Sequence, residues 1–213
     1  MNKSKRKYMI YNGKSIKKLF ENSKLYMLVF LFSAGIITGA VSINLDATIT
    51  DKLNLLIESY IVIKNGQGIV ENFCNSLTVN TVFFIFNILF GFSLIGYPFI
   101  IWLPFLRGMG IGTVCGYLYS AYRLRGLGYS ILIIYPSAAV SAFAFILACC
   151  DSIEYSRNAY MKSIKGRGQF EKDETKIYII RQVIFLGITV LSSFIDSIFT
   201  AGFSRLFEIW RII

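Results

Sequence analysis

The sequence contains no histidine. That absence excludes HExxH intramembrane zinc proteases, Ser-His hydrolases, His-ligated haem and His-based phosphotransfer, each of which needs an imidazole as ligand, base or nucleophile. Charge is scarce too, at 16% of residues against roughly 25% in globular domains. The four cysteines (Cys74, Cys115, Cys149, Cys150) form no CxxC pair, so thioredoxin-like redox chemistry and Cys-only zinc sites lose support. Cys149 and Cys150, adjacent at the end of an apolar run, read as packing residues, with palmitoylation as the other reading. No GxxxxGK[ST] loop is present, so no nucleotide motor is encoded. No catalytic residue, metal or cofactor is expected, and no nucleic-acid partner.

What the chain has instead is apolar sequence, 55% of its residues, with a mean hydropathy of +0.58. Charge-free stretches cover 25–45, 72–106, 108–122, 126–150 and 182–195. A bilayer crossing needs about 20 such residues. A β-barrel would need apolar and polar residues alternating over about ten positions, which these solid runs lack. The expected fold class is all-α: a polytopic integral membrane protein of about five transmembrane helices.

Residues 1–24 form a basic arm with eight Lys and Arg against one acid, Glu21. The apolar run behind it exceeds the 7–15 residues of a signal-peptide core, so it reads as a retained signal anchor; cleavage near Thr38-Gly39-Ala40 is the other reading. Residues 72–122 carry a single charge, Arg107. As one helix they would measure about 76 Å, far beyond a bilayer core of about 30 Å, and so must fold back. Gly96-Tyr-Pro98 and Pro104 are the available breakers. The expected helices are therefore 25–43, 76–97, 102–122, 127–149 and 182–204.

A cytoplasmic N-terminus then places the loop 150–181 inside and the tail 205–213 outside. Sixteen of the 22 basic residues fall inside, which obeys the positive-inside rule. A four-crossing alternative would export seven of them. Arg107 is expected near the cytoplasmic end. The outer segment 44–75 reads as an amphipathic helix with an apolar stripe that includes Leu53, Leu56, Ile57 and Tyr60. That stripe lies in the headgroup layer of membrane lipid or docks a partner. The loop 150–181, of mixed charge, reads as a solvated linker with helical ends.

Gly108, Gly112 and Gly116 share one face of the third helix, and Gly35 and Gly39 repeat the spacing on the first. Small residues let helix backbones approach closely in lipid, so these are expected to pack helices within the chain, with contacts between copies of it as a second reading. A phosphate-binding glycine loop would need a preceding strand. Among intramembrane polar residues, Asn80 and Asn87 read as interhelical hydrogen-bond donors. Asp196 reads as a structural carboxyl, which Arg123 and Arg125 could reach by snorkelling, or as part of a conducting path.

The run Asn80-Thr-Val-Phe-Phe-Ile-Phe-Asn87-Ile-Leu-Phe-Gly91-Phe-Ser-Leu-Ile-Gly96-Tyr-Pro98, followed by Arg107-Gly108-Met-Gly110-Ile-Gly112, resembles the stage II sporulation protein M family. That family has an Asn-rich second helix, a Gly-x4-Gly turn region and an xGxxxG third helix. The resemblance spans roughly 20–205; where the family commonly has Asn, this chain has Arg107. It implies a non-enzymatic membrane scaffold of a sporulation engulfment complex. Such a scaffold recruits a protein D-like lytic transglycosylase and a protein P-like amidase/endopeptidase to septal peptidoglycan, in the mother-cell membrane of a spore-forming bacterium. The alternative is a transport component using the break around Gly96–Pro104 and Asp196.

Overall fold

The structure is a computed structural model that describes residues 23–43, 55, 59, 68–93, 95–164 and 172–203. Those residues form five helices: α1 (Ser23–Ser42), α2 (Ile69–Phe92), α3 (Tyr97–Tyr129), α4 (Tyr135–Ile164) and α5 (Lys172–Phe203). A π-helical turn, Ser130–Ile134, leads into α4. No strand occurs among the described residues. The fold is all-α.

Four helical runs are long and apolar enough to cross a membrane: Lys24–Ser42, Ile69–Phe92, Tyr97–Met161 and Asp173–Phe203. The third, of 65 residues, would measure about 98 Å as one rod. It bends back at Arg123, which takes φ 52° and ψ −128°. A Cβ at Gly126 would lie 1.9 Å from the Leu118 carbonyl oxygen, whereas eight residues of straight helix separate two backbones by about 12 Å. The chain has therefore reversed between them. Tyr117 and Leu118 pack with Tyr129 and Ile133 across the bend, beside Ile43.

The helices alternate in direction. Phe32, Ile36 and Ala40 lie against Gly108, Gly112 and Gly116 in that order, so α1 and α3 run parallel. Ser76 meets Asp196, Asn80 meets Ser193 and Asn87 meets Gln182, which sets α2 antiparallel to α5. Ser137 meets Asp196 and Ser152 meets Tyr178, so α4 opposes α5 as well. The odd helices point one way and the even ones the other. The main core holds Leu28, Phe84, Ile100, Phe145, Cys149 and Ile153. Cys149 and Cys150 are buried free thiols, which suits packing and keeps an acyl group out.

Several boundaries differ from the sequence expectation. Helix α2 begins at Ile69 rather than 76, because the Glu71 carboxylate accepts from the Gly68 N–H (3.4 Å) and places negative charge at the helix start. The turn after α2 is made at Ser93–Gly96, where Ser93 N–H donates to Phe90 O (3.1 Å) and Gly96 N–H to Ser93 O (3.2 Å). A Cβ at Gly96 would sit 1.8 Å from Phe90 O, so only glycine closes this turn. Pro98 then starts α3, its fixed φ suiting a first turn, and Pro104 lies buried inside the helix.

The largest difference is at 150–181. The helical ends expected there are present and long, α4 continuing to Ile164 and α5 starting at Lys172 with 165–171 between them, but they pack together rather than lying in solvent. Polar side chains of the two helices satisfy one another. Arg181 pairs with Asp151 at 2.7 Å, Ser152 hydrogen-bonds Tyr178 at 3.0 Å and Tyr155 hydrogen-bonds Thr175 at 2.9 Å. The Tyr155 and Tyr178 rings stack at 4.3 Å.

The basic arm and the tail, together with Leu53, Leu56, Ile57 and Tyr60, lie outside the described residues. Within the outer segment Leu55 and Ser59 are helical, and the Ser59 hydroxyl donates to Leu55 O at 2.7 Å.

Candidate functional site

Helices α1 and α3 meet backbone to backbone. An added Cβ would lie 2.2 Å from Phe105 O at Gly35, 2.2 Å from Met109 O at Gly39 and 2.3 Å from Phe32 O at Gly108. At Gly112 it would lie 2.1 Å from Ile36 O, and at Gly116 2.8 Å from Ala40 O. The five glycines singled out in the sequence thus share one seam, and dispersion between close backbones holds it where lipid supplies no hydrophobic drive. Gly110, on the opposite side of α3, faces open space.

With α3 committed to α1, and α2 to α5, the pair α2 and α3 is left to splay apart from the turn at 93–96. In that wedge, closed behind by α4 and α5, lies a cavity of about 330 Å³. Its polar wall is built by Ser76 and Asn80 of α2, Arg107 of α3, Ser137 of α4, and Ser193 and Asp196 of α5. The rest of the lining is apolar or small, including Val79, Phe83 and Ala138.

Asn80 links the two ends of this wall. Its Oδ1 accepts from Arg107 Nη2, and its Nδ2 donates to Ser193 Oγ at 3.0 Å. One turn along α5, the Asp196 carboxylate accepts from the Ser76 hydroxyl and, at 3.1 Å, from the Ser137 hydroxyl. Ser192 Oγ donates to Ser137 O at 2.6 Å and fixes α5 against α4. The Arg107 guanidinium lies 4.7 Å from the Phe145 ring centroid and 5.7 Å from that of Phe83, within cation–π range. Its Nη1 is buried with no hydrogen-bond partner.

This corrects the position expected for Arg107. Treating Pro104 as a breaker put Arg107 near the cytoplasmic start of the third helix. Because α3 begins at Tyr97, Arg107 lies ten residues in, about 15 Å along the axis. Its partner Asn80 is midway between the ends of α2, about 17 Å from either. Arg107 and Asp196 therefore line one cavity. Arg123 and Arg125, expected to reach Asp196, are exposed at the bend.

A second polar seam continues between α2, α4 and α5. Asn87 Nδ2 donates to Gln182 Oε1 at 3.3 Å, and Gln182 Nε2 donates to Ala148 O at 3.1 Å and Ser152 Oγ at 3.2 Å. Asn80 and Asn87 thus act as interhelical donors. Sequence reasoning overlooked Gln182 and the Asp151–Arg181 pair, which it had placed in a loop or at a helix end. Their signal was the spacing of Asp151, Glu154 and Tyr155 on one helical face.

The chain matches no curated protein and no solved structure. A family model does match, over residues 28–201, from within α1 to within the last turn of α5, taking in both the glycine seam and the cavity. By that match over most of its length, the chain belongs to the stage II sporulation protein M family.

Proposed function

We propose that this sporulation membrane protein is a non-enzymatic scaffold that recruits peptidoglycan hydrolases to the septal and engulfing membrane. The observation that carries the reading is the strict alternation of helix direction around the α1–α3 seam. It gathers the start of α1, the turn at 93–96, the end of α4 and the start of α5 at one end. The end of α1, the start of α2 and the bend at Arg123 lie at the other. In a five-crossing orientation, the end with the loop and the basic arm is cytoplasmic by charge. The segment 44–67, the longest connection, then faces the compartment where peptidoglycan lies. The partners this reading names are a protein D-like transglycosylase and a protein P-like amidase/endopeptidase.

The test is to follow a fluorescent hydrolase in cells carrying Leu53→Lys or Ile57→Lys. If the apolar stripe docks the enzyme, a buried lysine costs several kcal/mol and the enzyme delocalises. Normal localisation in both variants means the stripe only lies among lipid headgroups, where lysine snorkels at little cost.

A transport reading is favoured by one observation, the polar cavity at mid-depth between helices, where secondary transporters hold their substrates. The break at 93–96 offers it nothing, since that is a turn between complete helices. Solute flux in proteoliposomes separates the two readings.

A further inference from the structure

A cation at mid-depth in a membrane protein is held by a partner or by water, because burying it alone is costly. Arg107 is 6% exposed and has five N–H donors to satisfy. The protein supplies Asn80 Oδ1 to Nη2 and two aromatic faces, and leaves Nη1 with no acceptor while lining an open cavity of about 330 Å³. A structural arginine would be expected to have its fork filled by carbonyls or a carboxylate. Here one arm is held and the other is buried without an acceptor, on a residue that lines the cavity. The planar fork suits two oxygens of a phosphate or carboxylate.

The cavity also has a way in. On its rim Val79 is 53% exposed, and Gly110 faces open space, so the wedge between α2 and α3 opens sideways. For a chain embedded in lipid, that opening admits a molecule from the bilayer as well as one from water. At the other end of the polar wall, Asp196 is steadied by the Ser76 and Ser137 hydroxyls, one turn along α5 from the Ser193 that holds Asn80, so the cavity carries an acidic group as well as the cation. Two opposite charges on one wall suit a ligand with an oxyanion at one end and an ammonium at the other.

We propose that the cavity between α2 and α3 is a binding site for an oxyanion of the phosphoethanolamine type, its phosphate on Arg107 and its ammonium towards Asp196. This goes beyond scaffolding. It gives the protein a ligand, whether the headgroup of a membrane phospholipid or a free phosphoethanolamine-like solute.

The experiment uses the full chain in dodecyl maltoside and native mass spectrometry. Three probes are titrated: short-chain phosphatidylethanolamine, free phosphoethanolamine, and short-chain diacylglycerol, which has the tails without the headgroup. One phosphate-bearing probe is expected to bind at a single site, more tightly than diacylglycerol. Arg107→Gln should weaken it about tenfold or more, the scale of a charge-assisted hydrogen bond, while Arg107→Lys, which keeps the charge and loses the fork, should weaken it by less. Ala138→Phe, which fills the cavity and leaves the Arg107–Asn80 contact alone, should also abolish binding; it keeps the test valid if Arg107→Gln fails to fold. Preference for the lipid identifies the bilayer as the source, and preference for the free headgroup identifies water. Two results would overturn the proposal: neither phosphate probe outbinding diacylglycerol, or binding indifferent to both Arg107→Gln and Ala138→Phe.

Discussion

Two glycines on α3, two residues apart, should respond in opposite ways to the same methyl group. A Cβ at Gly112 would meet Ile36 O at 2.1 Å and Ile36 Cα at 2.8 Å, both backbone atoms of α1 that no rotamer change can move. Relieving that clash requires the helices to separate by about 1 Å. Separation loosens the neighbouring contacts at Gly35, Gly39, Gly108 and Gly116 as well. Overpacking of this kind costs about 1–3 kcal/mol, and the loss is reduced by the roughly 1 kcal/mol that Ala gains over Gly in a helix. Gly110 has nothing within 4 Å of the added carbon and should show only the gain. Gly112→Ala should therefore be destabilised by up to about 2 kcal/mol and Gly112→Leu by more, with lower folded yield. Gly110→Ala should be neutral or up to about 1 kcal/mol more stable. Reversible unfolding in mixed micelles measures all three. Equal stability of Gly112→Ala and Gly110→Ala would refute the seam.

Arg181→Met should destabilise the fold by about 2–4 kcal/mol, since it strands the buried Asp151 carboxylate, and the double variant Arg181→Met/Asp151→Leu should recover much of the loss; unfolding of the two variants checks this. Asn87→Leu should cost about 0.6–2 kcal/mol in the same assay by removing the donor to Gln182. If the chain is no enzyme, Asp46→Asn, Asp51→Asn, Glu58→Gln and Glu71→Gln should each leave peptidoglycan cleavage by the partner hydrolases intact. A single amide variant that abolishes cleavage with localisation unchanged would reverse that assignment. Cysteines placed at Asn65 or Gln67 should be labelled from outside the cell and one at Gln169 should not. Labelling of Gln169 would sink the five-crossing orientation.

Helix existence and type were legible because solid apolar runs leave a chain in lipid few alternatives. The glycine spacing was legible too, since four-residue repeats of missing side chains mean close backbones wherever they fall on facing helices. One proline misled. Gly96 and Pro98 do mark the break, but Pro104 is absorbed into α3, and sequence alone does not distinguish that use from a break. That error displaced Arg107 by five residues, about a quarter of the bilayer core, and hid its cavity. The charges of 150–181 misled in another way. Their partners sit on a second helix, so residues that look solvated in isolation are satisfied across the α4–α5 hairpin. A lone arginine between two long charge-free stretches was the available clue to the site, and its meaning depended on which helix face it occupied.

The scaffold account rests on physical association, and capture from sporulating cells measures that directly. The tagged full chain would be purified in mild detergent beside a variant whose segment 44–67 is replaced by a Gly/Ser linker of equal length, both verified as folded. The account predicts that the protein D-like and protein P-like hydrolases copurify with the intact chain and are lost from the linker variant. A folded, intact chain that brings down neither hydrolase would contradict it.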